Sequence, residues 1–132
     1  MMRDHQSYID GLDTLAALYV EHPTLPLGGG IDINLHRYRS QAIDPAEQIR
    51  LTVAIVEQMR QPEIRLKLNR GAPTAWLYVT GYVRGLRVDI QMWADEVCER
   101  RPNEQLKRDR WVIPPALATA VQAASTGGGE DL

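Results

Sequence analysis

The chain has 132 residues, 44% of them hydrophobic and 24% charged, with a formal net charge of −2. This is the size and balance of one globular domain, able to bury about two-thirds of its unfolded surface, so neither disulfide nor metal is required for folding. An acidic pI near 5.9 argues against strong non-specific phosphate binding, and no apolar run nears the ~20 residues of a helical membrane span.

Residues 5 to 21 are expected to form a helix, with Tyr8, Leu12, Leu15 and Tyr19 at helical spacing and Ile9 and Ala16 widening the stripe. Asp4 or Ser7 can cap its start, and His22-Pro23 ends it. Pro23, Pro26 and Gly28-Gly29-Gly30 form a connecting loop. Ile31, Ile33 and Leu35 alternate with Asp32, Asn34 and His36, the pattern of a half-buried strand.

Asp44-Pro45-Ala46-Glu47 is the clearest local signal. Asp44 can accept from the first free N–H groups, Pro45 suits the first helical position, and Glu47 can reach back to the cap. Ile49, Val53, Val56 and Met59 form one apolar row and Leu51 and Ile55 another, so this helix is expected to run to about Arg60, to end before Pro62 and to pack across a sheet.

Ile64, Leu66 and Leu68 alternate with Arg65, Lys67 and Asn69 as a second strand. After the turn at 69–73, Ala75, Leu77 and Val79 interleave with Trp76, Tyr78 and Thr80. Past Arg84-Gly85, Val88, Ile90 and Met92 interleave with Arg87, Asp89 and Gln91. These two segments read as an antiparallel hairpin, with Gly81 marking a bulge. Residues 98 to 111 are polar and basic, an extended arm or an edge strand. Pro114-Pro115 opens an Ala-rich helix through about Ala124, and Ser125 to Leu132 is a flexible Gly-rich tail.

The order predicts a mixed, mainly antiparallel sheet of about four strands, with two main helices packed on one face. Residues 1–124 make a single α+β domain and 125–132 a tail. The helix between the first two strands permits one right-handed crossover between parallel strands.

Residues 1–59 hold four Arg against eight acids, and residues 60–110 hold eleven Lys or Arg against seven acids. Because acids interleave the basic half, complementary surfaces explain this split better than a dedicated basic face. Cys98 is the sole cysteine, which rules out an intrachain disulfide and a multi-thiol zinc site. Met1-Met2-Arg3-Asp4-His5 turns polar at once and lacks the apolar core of a secretion signal, so the expected location is the cytoplasm of a bacterial host cell.

Tyr8-Ile9-Asp10-Gly11-Leu12-Asp13-Thr14-Leu15-Ala16, ending in Glu21-His22-Pro23-Thr24-Leu25-Pro26, resembles the opening helix of an uncharacterised family of small proteins from actinobacteria and their phages. Val97-Cys98-Glu99-Arg100 resembles the segment that closes the main strands in that family. The resemblance spans about residues 8 to 100. The C-terminal part departs from it, with Trp111-Val112-Ile113-Pro114-Pro115 and an Ala-rich stretch. It implies a phage or mobile-element origin and transfers no catalytic residue.

No catalytic, cofactor or metal site emerges from the residues themselves. His5, His22 and His36 lie on separate segments without ligand spacing. Cys98 would need a neighbouring base and a stabilised thiolate to act as a nucleophile, and a structural thiol is the simpler account. Gly28-Gly29-Gly30 precedes a strand and lacks the Lys-Ser/Thr of a phosphate loop. Asp10 with Asp13, and Asp95 with Glu96, read as solvated surface.

What remains is a surface. Trp76, Tyr78, Trp93 and Trp111, with Arg65, Lys67 and Arg87, are residue types enriched at protein interfaces. A non-enzymatic accessory protein, binding a host protein or itself, is the leading expectation; the aromatics completing the protein's own core is its bland counterpart. A nucleic-acid-binding module using the same cations and aromatics is the alternative.

Overall fold

The computed structural model describes residues 4–35, 43–68, 75–103 and 108–127. Helix α1 (His5–Glu21) begins as expected, with the Asp4 carboxylate accepting from the Ser7 N–H over 2.6 Å. These hydrogen bonds from Ser7 hold the Asp4 carboxyl below its ordinary pKa. None of its residues is buried.

Strand β1 (Ile31–Asn34) alternates half-buried Ile31 and Ile33 with exposed Asp32 and Asn34. Helix α2 (Pro45–Val56) has Asp44 at its cap, accepting from the Glu47 N–H over 2.8 Å, and Pro45 at its first turn. The Glu47 side chain does not reach back to the cap. It pairs forward with the Arg50 guanidinium, whose Nε donates over 2.8 Å, and this lowers the Glu47 pKa. The helix also ends earlier than its periodicity suggests. Backbone bonds from Gln58 to Ile55 and from Met59 to Val56 tighten the last turn, and the chain enters a strand at once.

That strand, β2 (Arg60–Leu68), includes Pro62, which was expected to lie beyond a helix end. Its missing N–H is tolerated because β2 is an edge strand and Pro62 sits in a bulge. Arg60 pairs with Tyr82 and Glu63 with Thr80, so Gln61 and Pro62 together face Gly81, with Gln61 at φ 54. The bulge expected at Gly81 is therefore at its level but on the neighbouring strand. Gly81 serves by having no Cβ: one added there would lie 2.7 Å from the Met59 sulfur.

Strands β3 (Ala75–Val83) and β4 (Leu86–Trp93) form the expected hairpin through Arg84-Gly85. The sheet order is β1-β4-β3-β2, with β1 parallel to β4 and the other pairs antiparallel. β1 and β2 thus run parallel at opposite edges, and α2 crosses between them.

A short helix, α3 (Ala94–Val97), leads into a separate two-stranded sheet of β5 (Glu99–Asn103) and β6 (Arg108–Val112). Within the 98–113 segment, residues 99–103 and 108–112 therefore pair with each other outside the main sheet, rather than forming an extended arm or an edge strand of it. Helix α4 (Pro115–Gly127) continues past Ala124, so Ser125–Gly127, assigned to a flexible tail by composition, are helical. The Ser125 hydroxyl donates to the Pro62 carbonyl over 3.5 Å. His36, the 69–73 turn and residues 128–132 lie outside the described residues.

The main sheet is the mixed, mainly antiparallel one predicted, and helices cover one of its faces. They are α2 and α4, which lie against each other. The core between them holds Leu77, Val79, Ile90, Met92, Val56 and Leu117. The α2 face is broad because its innermost row is Gln48, Thr52 and Val56, flanked by half-buried Leu51 and Ile55 on one side and Ile49 and Val53 on the other. Two polar residues therefore sit at the centre of an apolar face. Thr52 is satisfied, its hydroxyl donating to the Gln48 carbonyl at 2.8 Å with the Met92 sulfur at 3.4 Å.

Candidate interaction surface

Side chains alternate across a pleated sheet, so the residues between the core positions share the opposite face. Strand register arranges them in rows. Lys67, Trp76 and Trp93 lie side by side across β2, β3 and β4. Beside them run Arg65, Tyr78, Gln91 and Asn34, and then Glu63, Thr80, Asp89 and Asp32. Tyr82 and Arg87 close the set. One end of the face is thus aromatic and cationic, and its middle row holds three carboxylates.

Trp76 and Trp93 stack at a tilt, with ring centroids 5.6 Å apart and planes at 58°. Such a cross-strand aromatic pair contributes roughly 0.5–1 kcal/mol and stiffens both rings. Trp76, Tyr78 and Trp93 are half-buried and stand apart from the core cluster. α2 and α4 occupy the other face of the sheet, and α1 buries none of its residues.

The cations on this face are balanced locally. Arg65 lies 3.2 Å from Glu63 and Arg87 lies 3.4 Å from Asp89, both exposed enough for screening to leave each pair worth little. The register therefore brings together Trp76, Tyr78, Trp93, Arg65, Lys67 and Arg87. Trp111 is not among them. It lies on β6, packs against the core, and has the Arg100 guanidinium over its ring at 5.1 Å.

Gln91, Thr80 and Asp89 belong to this surface; the sequence put them at the outer strand positions but did not single them out as interface residues. The alternation that placed Trp76 and Tyr78 outward placed them too, but their residue types carry no interface signal. The exposed stripe of α1 was legible as a stripe; that none of its residues is buried among the described residues was not.

Cys98 follows α3 as its C-cap, with its N–H bonded to the Ala94 carbonyl at 2.8 Å. Burial first, and the nearby Asp95 carboxylate second, push its thiol up to about 11. It is protonated at neutral pH, the opposite of what a nucleophile needs. The Asp95 carboxylate itself accepts from the Ala75 N–H over 3.2 Å, tying α3 to the start of β3.

Among the described residues no three His, Cys, Asp or Glu side chains converge as metal ligands. A groove of about 1010 Å³ lies between α2 and α4, lined by Val53, Met59, Ala120 and Ala124 with Glu57 and Arg84. It presents small apolar side chains rather than a reactive set. No described helix is long and apolar enough to cross a membrane. Comparison with protein-family models, with curated proteins and with solved structures finds no match.

Proposed function

We propose that this protein is a non-enzymatic accessory protein that acts by binding another protein or itself through the aromatic face of its main sheet. One observation carries the reading: the covering helices α2 and α4 share one side, so Trp76, Tyr78 and Trp93 stand on the other without joining the core. Large aromatic side chains lose little entropy on contact and dominate interface energetics. The resemblance of the α1 and Val97–Arg100 segments to actinobacterial phage proteins supports a mobile-element setting, in which the partner is a bacterial host protein or a second copy, and the site of action is the host cytoplasm.

Nucleic-acid binding is the second reading, favoured by Arg65, Lys67 and Arg87 beside the aromatics. It is weaker because Glu63 and Asp89 already pair with two of those cations on the same face.

A tagged pull-down from actinobacterial lysate, with and without nuclease, separates the two. The protein reading expects one stoichiometric partner that survives nuclease and is lost with Trp76→Ala, at a cost of at least ~2 kcal/mol in binding. Recovery confined to nuclease-sensitive material, abolished by Arg65→Glu with Arg87→Glu, would replace it with the alternative.

A further inference from the structure

β2 is an edge of the main sheet, and its two ends differ. At its start the Gln61-Pro62 bulge interrupts the ladder, and the Pro62 carbonyl accepts from the Ser125 hydroxyl of α4. From Glu63 to Leu68 the strand is regular, each residue facing one partner on β3. Among the described residues, no backbone group from any other element bonds to this stretch. Six residues of open edge present about 20 Å of N–H and C=O groups on which a further strand can pair.

The side chains along this edge sort by face. Leu66 and Leu68 lie on the core side, opposite Leu77 and Ala75, yet they are 39% and 57% exposed. Arg65 and Lys67 lie on the other side and are exposed. Arg65 keeps 66% of its side chain accessible while it pairs with Glu63, and Lys67 has no ion-pair partner among the described residues. The two rows that these cations begin, through Trp76 to Trp93 and through Tyr78 and Gln91 to Asn34, contain no acid. The edge is thus apolar on one side and cationic on the other.

We propose that the Glu63–Leu68 edge of β2 receives an extended segment of a partner protein in which acidic and apolar residues alternate, adding a fifth strand to the main sheet. Its carboxylates meet Arg65 and Lys67, and its apolar residues meet Leu66 and Leu68. In strand addition the main-chain bonds supply affinity and the alternate side chains supply selectivity. The proposal rests on reading the protein as one that binds another protein, and it names the conformation and charge of the segment bound.

Charge selects an acidic strand over a second copy of β2, because like charges directly opposite one another destabilise a strand pair. An antiparallel copy centred on Leu66 opposes Arg65 to Lys67 twice. One centred on Arg65 opposes that guanidinium to its own copy, and its Lys67 to Glu63 contacts draw Glu63 away from Arg65. An acidic strand meets neither obstacle. The exposed Arg65 to Glu63 pair gives way readily, since a pair so open to solvent is worth little.

The test uses the full chain and three acetylated, amidated octapeptides. One alternates Glu with Val, and one alternates Lys with Val. The third repeats the acidic sequence with its two central backbone nitrogens methylated, so that one of them blocks whichever edge faces β2. Amide NMR titration and hydrogen exchange are the readouts. The acidic peptide is expected to bind and to slow exchange within residues 64–68. The Lys peptide and the methylated peptide should each bind at least about tenfold more weakly. Arg65→Glu with Lys67→Glu should invert the preference between the two charges, and circular dichroism checks that the fold persists in this variant of two exposed residues.

Equal binding of both charges, or binding that survives methylation, overturns the proposal. Protection of the same amides that grows with protein concentration and needs no peptide overturns it in favour of a second copy. No binding of any probe at about 1 mM overturns the edge site as well. In each of these cases the wider reading stands if lysate capture still depends on Trp76, and falls separately if it does not.

Discussion

Replacing Gln48 by Met tests what the polar centre of α2 contributes. Gln48 is fully buried, its Nε2 donates to the Ile43 carbonyl over 3.3 Å, and its Oε1 has no hydrogen-bond partner among the described residues. A buried acceptor left unpaired costs about 1–3 kcal/mol, while a long hydrogen bond of this kind contributes roughly 0.5–1 kcal/mol. Methionine has nearly the same length and volume and no strongly polar atom, so the packing against β4 is retained. Gln48→Met should therefore stabilise the fold by about 1 kcal/mol, raising the melting temperature by about 4 °C in a chain of this size. Urea unfolding at unchanged slope is the assay, because an altered slope would signal a different denatured state. A loss of 1 kcal/mol or more would refute the reasoning and mean that the amide oxygen is satisfied in solution.

Two further outcomes follow from single positions. Gly30 has φ 117, and a Cβ there would lie 2.5 Å from the Arg87 carbonyl oxygen. Gly30→Ala should cost on the order of 2–4 kcal/mol and strip hydrogen-exchange protection from Ile31 and Ile33 first. Gly28→Ala, with nothing within 4 Å, should stay within about 0.5 kcal/mol; equal effects at the two sites would contradict the packing of β1 on β4. For Cys98, alkylation should be slow at neutral pH and accelerate toward a midpoint of about 11. The folded thiol keeps its proton to higher pH than the unfolded one. Its contribution to stability is thus complete below the unfolded thiol pKa of about 8.5 and is lost as pH rises through the folded value. Cys98→Ser should accordingly lose stability less steeply over that alkaline window, and rapid labelling at neutral pH would contradict the burial assigned to this thiol.

Much of the secondary structure was legible because its causes are local. Asp44-Pro45 starts α2 by satisfying or removing N–H groups that no earlier turn can accept, and the alternation at 75–79 and 88–92 leaves one face apolar whatever the partner strand. The same alternation placed Trp76, Tyr78, Arg65 and Arg87 on a common side once the strands were paired. The candidate surface was therefore largely readable, except for Trp111, whose hairpin has its own sheet.

Tertiary contacts decided the rest. Pro62 reads as a helix terminator until an edge strand with a bulge offers it a place without an N–H partner. The Ala-rich segment after Pro114 has a weak local signal, yet it becomes the second covering helix because its small side chains let it approach α2. α1 has the more obvious stripe and buries none of it. An apolar stripe states that a helix must be covered. Which surface covers it is a competition among distant parts of the chain, or between chains, and that competition is settled by shape and area rather than by any local pattern.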